Sequence, residues 1–148
     1  MAVSIRKACS LIFKIPMDAV PDIIPVSSCL SYVEEGCRTL HIGLLSRYFG
    51  NPYRSSLHEL VHVLLEDVPL TDKEIRVFGS RKSWYGTQQW WKYILPNSRY
   101  ITRYAATHPE EDFAETIVSL LQFATFPAGY AKKVQVAESW LAAVRARY

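Results

Sequence analysis

A chain of 148 residues with 17 lysines and arginines against 14 acids carries a formal charge of only +3. With 49% hydrophobic and 21% charged residues, it is too apolar and too weakly charged to be intrinsically disordered. The small basic excess gives no support to a dedicated nucleic-acid binder, and no apolar run reaches the ~18 residues that a membrane span needs.

The length predicts a single domain, residues 1–148, with a core large enough to need no disulfide staples. The three cysteines, Cys9, Cys29 and Cys37, are too few and odd in number for a disulfide framework. Buried free thiols are expected, with a Cys29–Cys37 bridge left open. The N-terminal apolar stretch is cut by Lys14 and Pro16 and is too short for a signal core. A cytoplasmic location is the default expectation, and export by a route without a cleaved signal is left open.

In chain order, Ile5, Ala8, Leu11 and Ile12 predict a short helix over 4–14, ended by Pro16. Pro16, Pro21 and Pro25 predict an extended or irregular stretch. Residues 38–46 read as a strand with Leu40, Ile42 and Leu44 on one face. Gly50-Asn-Pro52 reads as a turn, and a helix beginning at Ser55 or Ser56 runs to just before Pro69. Leu57, Leu60, Val61, Val63, Leu64 and Leu65 make that helix apolar nearly all round, so it belongs in the interior. Thr71 and Glu74 can cap a short helix, and 87–94 looks helical until Pro96. Thr107 and Glu110 read as a capping box opening a helix with Phe113, Ile117, Leu120, Leu121 and Ala124 on one face. A last helix over about 130–146 points Val134, Ala137, Trp140, Leu141 and Val144 inward. The sum is an α+β chain, mostly helical, with a small sheet.

The chemistry concentrates in His58-Glu59-Leu60-Val61-His62. On a helix, residues four apart project from one face, so both imidazoles can reach one metal ion. Glu59 then lies beside the metal and can polarise a water there without ligating. Imidazole suits zinc, and an open coordination position makes a zinc site catalytic. The competing reading is a buried helix that happens to carry two histidines, but such groups in so apolar a helix need partners. Two histidines need a third ligand. Leu65 and Val68 stand where a metzincin has glycine and histidine, which removes that class. A later carboxylate is the alternative. Glu111 and Glu115 are four apart on one helical face, so one can bind zinc while the other accepts the outer N–H of a ligating histidine. Read alone, this acidic run is a solvated first turn favoured by the helix dipole.

His58-Glu59-Leu-Val-His62, followed by Tyr104 and by Glu110-Glu111-Asp112-Phe113-Ala114-Glu115, resembles the gluzincin zinc metallopeptidases. The likeness is nearest to the anthrax lethal factor catalytic domain and its Pro-Pro endopeptidase relatives, and it covers about residues 38–146. In that family a tyrosine precedes the glutamate ligand by seven positions, as Tyr104 precedes Glu111, and a second glutamate follows one turn later, as Glu115 does. The resemblance implies a zincin-like fold, one catalytic Zn2+ on His58, His62 and Glu111, Glu59 as general base, and Tyr104 donating to the developing oxyanion. It gives Glu115 the role of the carboxylate behind a ligating histidine, and a protein or peptide as substrate. It also implies that the strand before the zinc helix pairs with extended substrate along its open edge. Asp112 departs from the relatives, which often carry an aromatic there.

The remaining candidates carry less. His108 at the first position of its helix is expected at the surface, and His41 is expected to be structural or to line the cleft. Trp84, Trp90 and Trp91 lie in an unusual aromatic stretch that reads as a helix beside the cleft or as a substrate wall. A nucleic-acid stacking surface would need a wider basic field. A zinc endopeptidase is therefore the expected function, and a catalytically inactive zincin-like binding or adaptor domain is the alternative.

Overall fold

The computed structural model describes residues 2–26, 32–33, 39–43, 51–79, 100–102, 104–122 and 124–148. The chain divides into two compact units, one of residues 1–68 with 142–148 and one of residues 69–141. Among the described residues the architecture is α+β and mostly helical, with one three-stranded sheet. No helix among them is long and apolar enough to cross a membrane.

The first unit opens with α1 (Ala2–Phe13). Its buried stripe is Ile5, Cys9 and Phe13, one residue from each of three successive turns. The expected face through Leu11 and Ile12 points outward instead, with Leu11 68% exposed. Phe13 and Ile15 take the interior positions that end the stripe. Lys14 holds a left-handed backbone at φ 58°, and the Ile15 N–H donates to the Ser10 carbonyl at 3.1 Å. Together these make the Schellman arrangement, with Ile15 buried as its apolar contact. Burial pushes the Cys9 thiol up to about 12, so it behaves as a small inert core residue.

The stretch after Pro21 is more regular than its prolines suggest. It forms β1 (Asp22–Val26), and Pro25 is tolerated because β1 is an outer strand. β1 pairs in parallel with β3 (Thr39–Gly43), Ile23 opposite Leu40, and β2 (Tyr32–Val33) pairs antiparallel on the other side of β3. β3 is thus the middle strand. Leu40 and Ile42 are fully buried as expected, while Leu44 lies outside the described residues. The open edge expected on this strand is taken up at Leu40 and His41 by both neighbours.

α2 (Pro52–Asp67) packs against α1, β2 and β3. It starts three residues earlier than the sequence pattern suggests. The Asn51 side chain accepts from the Tyr53 N–H at 2.9 Å, and Pro52 occupies the first helical position, so the expected turn residues are a cap. Leu57, Leu60, Val61, Val63 and Leu64 are all buried, each stabilising by about 1.5–3 kcal/mol relative to exposure. Its C-terminal end is held within the same unit, where the Tyr148 hydroxyl donates to Asp67.

The second unit begins with α3 (Asp72–Phe78), opened by a full capping box between Thr71 and Glu74. The bonds from Thr71 hold the Glu74 carboxyl below its ordinary value. Gly79 then stops the helix at φ 138° and ψ 176°, a region open only to glycine. α4 (Pro109–Leu121) carries Phe113, which stacks edge-on against Phe78 at 5.3 Å and Trp140 at 5.1 Å. α5 (Ala131–Arg147) spans the end of this unit and the last residues of the first; it buries Ala137, Trp140, Leu141 and Val144 as its periodicity predicts, whereas Val134 is only half-buried. The helix expected over 87–94, with Trp84, Trp90 and Trp91, lies outside the described residues.

Candidate metal centre

α2 places His58 and His62 one turn apart in the first unit. His58 is 1% exposed and Glu59 9% exposed, whereas His62 is half-buried. The two Nε2 atoms converge to 3.2 Å, with ring centroids 5.0 Å apart. Two nitrogens on a tetrahedral zinc at about 2.05 Å stand roughly 3.3 Å from each other, so the imidazoles already hold the spacing of a shared ion. The same spacing serves a hydrogen bond between neutral rings, one donating and one accepting. The charge of a bound cation would let both nitrogens act as acceptors at once.

In the second unit, α4 carries the acidic set. Its cap differs from the sequence reading. His108 is the N-cap, its Nδ1 accepting from the Glu110 N–H at 3.3 Å. Thr107 turns its hydroxyl back to the Tyr104 carbonyl at 2.7 Å. The proline explains the shift, because Pro109 takes the first helical position and the residue before it is extended, at φ −157° and ψ 149°. An imidazole caps only through an unprotonated Nδ1, so His108 has a structural task. Tyr104 sits on the preceding turn and is 40% exposed.

Along α4, Glu111 is half-buried while Asp112 and Glu115 are fully buried. A solvated first turn is therefore not what forms here. Asp112 pairs with Lys133 of α5 at 2.5 Å. Burial pushes its carboxyl up to about 7, with Lys133 opposing the rise and Glu115 adding to it. Asp112 and Lys133 are the residues that sequence reading missed. They are 21 positions apart, so no helical or strand period links them.

His58, His62 and Glu111 are the group among the described residues that could hold a metal ion, with one ligand atom from each within 4.8 Å of the others. Two imidazole nitrogens and one carboxylate oxygen are the donor set of a three-ligand zinc site with a fourth position open. His41 lies on the middle strand and is half-buried. Comparison with known proteins found no matching family model, no similar curated protein and no similar solved structure.

Proposed function

We propose that the protein is a zinc-dependent endopeptidase with a zincin-like fold, a gluzincin of the lethal factor type that cleaves a protein or peptide substrate. The observation that carries this reading is the gathering of His58, His62 and Glu111 around one point, with Glu59 next in sequence to one of the histidines. In this reading the three side chains hold one Zn2+. When bound, zinc supplies the positive charge that polarises a peptide carbonyl and makes water acidic at neutral pH.

The remaining work falls to the protein's own residues. Glu59, nearly buried, takes the proton of the attacking water and returns it to the leaving amine. Tyr104, on an exposed turn, offers its phenol to the oxyanion as charge develops there. Glu115, buried one turn beyond Glu111, accepts the outer N–H of a ligating imidazole and fixes its tautomer. A buried carboxylate in that position needs a donor of this kind, since burial of an unsatisfied charge is costly.

The test is hydrolysis of a peptide library by the zinc-loaded protein against Glu59→Gln. A general base contributes about 10²–10⁴-fold to rate, so the variant should lose that much turnover while binding zinc as tightly as the wild type. Equal cleavage by both proteins would remove Glu59 from the chemistry. Wild-type protein that binds zinc but cleaves nothing would favour the adaptor reading.

A further inference from the structure

The outward face of α1 carries a pattern that the metal chemistry leaves unused. Val3, Lys7 and Leu11 stand four residues apart, so they lie in line over three successive turns. Val3 is 71% exposed and Leu11 68%, while Ile5, Cys9 and Phe13 fill the interior from the opposite face. Lys7 is exposed between the two aliphatic side chains, and Lys14 and Met17 are exposed at the end of the helix. Single exposed aliphatics are ordinary on a protein surface. A line of aliphatic, lysine and aliphatic down one helix is a narrower pattern.

The charges select what fits this face. α1 contains no acidic residue. Its arginine is already engaged, since Arg6 donates to the Val20 carbonyl and to Asp22, both at 2.9 Å. Among the described residues neither Lys7 nor Lys14 forms an ion pair. Asp18, exposed just beyond the helix, subtracts one charge from the Lys14 end. A second copy of the chain is a poor occupant: two such faces across a twofold axis would bring lysines together with no acid on either helix to meet them. The face also lacks the aromatic and arginine anchors that mark protein interfaces, where lysine is depleted. A lipid surface supplies what is missing. Anionic headgroups meet the ammonium groups, while the lysine stems and aliphatic side chains rest at the acyl boundary.

We propose that α1 docks the protein on anionic lipid surfaces, lying flat in the headgroup layer through Val3, Lys7, Leu11 and Lys14. Binding is weak and reversible, because two aliphatic side chains insert where a stable anchor buries far more apolar surface. It is sensitive to salt, because the attraction is screened beyond about 10 Å at 0.1 M ionic strength. Lys7, flanked by both aliphatics and away from Asp18, contributes more than Lys14.

The experiment mixes the full chain with vesicles of phosphatidylcholine alone, or of phosphatidylcholine with about one-third phosphatidylserine, and reads the bound fraction by co-sedimentation. Wild type is compared with Lys7→Gln, Lys14→Gln, Leu11→Gln and Lys132→Gln. Lys132 is an exposed lysine on α5 and controls for net charge. The wild type should bind the anionic vesicles, leave the neutral ones, and be released by salt. Lys7→Gln should weaken binding about fivefold and Leu11→Gln about tenfold, with a smaller loss in Lys14→Gln. Lys132→Gln should match the wild type. No binding to anionic vesicles, equal binding to neutral ones, or an equal loss in Lys132→Gln overturns the docking role. A wild-type dimer in analytical ultracentrifugation that Leu11→Gln dissociates would assign the face to a second copy, and overturns it too. All four positions are exposed, so melting temperatures should hold. Should Leu11→Gln not fold, Val3→Gln takes its place in the same comparison.

Discussion

α2 and α4 solve one problem in two ways. Each is a buried helix that carries ionisable side chains, and each must satisfy them. In α2 one contact is local: the His58 ring meets His62 one turn later, Nε2 to Nε2 at 3.2 Å. In α4 it is distant: Asp112 finds Lys133 on another helix, under three aromatic rings. The lesson is that a local pair survives rearrangement of its surroundings, whereas a distant pair depends on the packing that brings its partners together. The histidine half of the candidate site should therefore be the robust half, and the carboxylate half the sensitive one.

Deleting the packing under α4 gives the largest expected effect. Phe113→Ala removes a fully buried ring stacked on Phe78 and Trp140 and should cost about 3–5 kcal/mol in denaturant unfolding. Leu60→Ala in α2 should cost a comparable 2–5 kcal/mol. If the contrast holds, the α4 variant will weaken zinc binding more than the α2 variant at equal loss of stability. An equal effect on zinc would erase the distinction.

A change of pH sharpens the comparison next. The Asp112 carboxyl is raised from 3.8 to about 7 by burial, so the folded state holds its proton more tightly than the unfolded state does. Its stabilising contribution is then full below about pH 4 and is lost as pH rises to about 7. On that basis the wild type should lose stability relative to Asp112→Asn across that window, by roughly 4 kcal/mol at most. A difference between the two proteins that stays constant from pH 4 to 7 would contradict the assigned burial. The smallest effect lies far from both helices. Lys14→Gly relieves a left-handed backbone at φ 58° and should stabilise by about 0.5–1 kcal/mol, visible as a small rise in melting temperature.

The same contrast explains what could be read in the sequence. The helix α2 was legible because its signals are local: apolar residues all round, two histidines four apart, and a stop before Pro69. The last helix was legible for the same reason. The misreadings fall where packing chooses between local options. On α1 the stripe through Cys9 and Phe13 displaced the one through Leu11 and Ile12, because the Schellman turn at Lys14 buries Ile15 beside Phe13. At α4, Pro109 moved the cap from Thr107 to His108. β3 lost its expected open edge because β1 and β2 pair with it from both sides, an arrangement no window of sequence around 39–43 encodes. In the candidate site, Glu111 and Glu115 could be named as a pair from their spacing, with the resemblance implying Glu111 as the ligand, but the buried state of Asp112 could not, since Lys133 comes 21 residues later.

The central claim is that His58, His62 and Glu111 hold one zinc ion. Metal analysis of the purified chain after zinc loading and desalting tests it most directly, alongside His62→Ala and Glu111→Ala. The account predicts close to one zinc per wild-type chain and a loss of stoichiometric binding in both variants, with Glu111→Ala still folded by circular dichroism. A wild type without zinc, or a Glu111→Ala protein that retains a full equivalent, would contradict it.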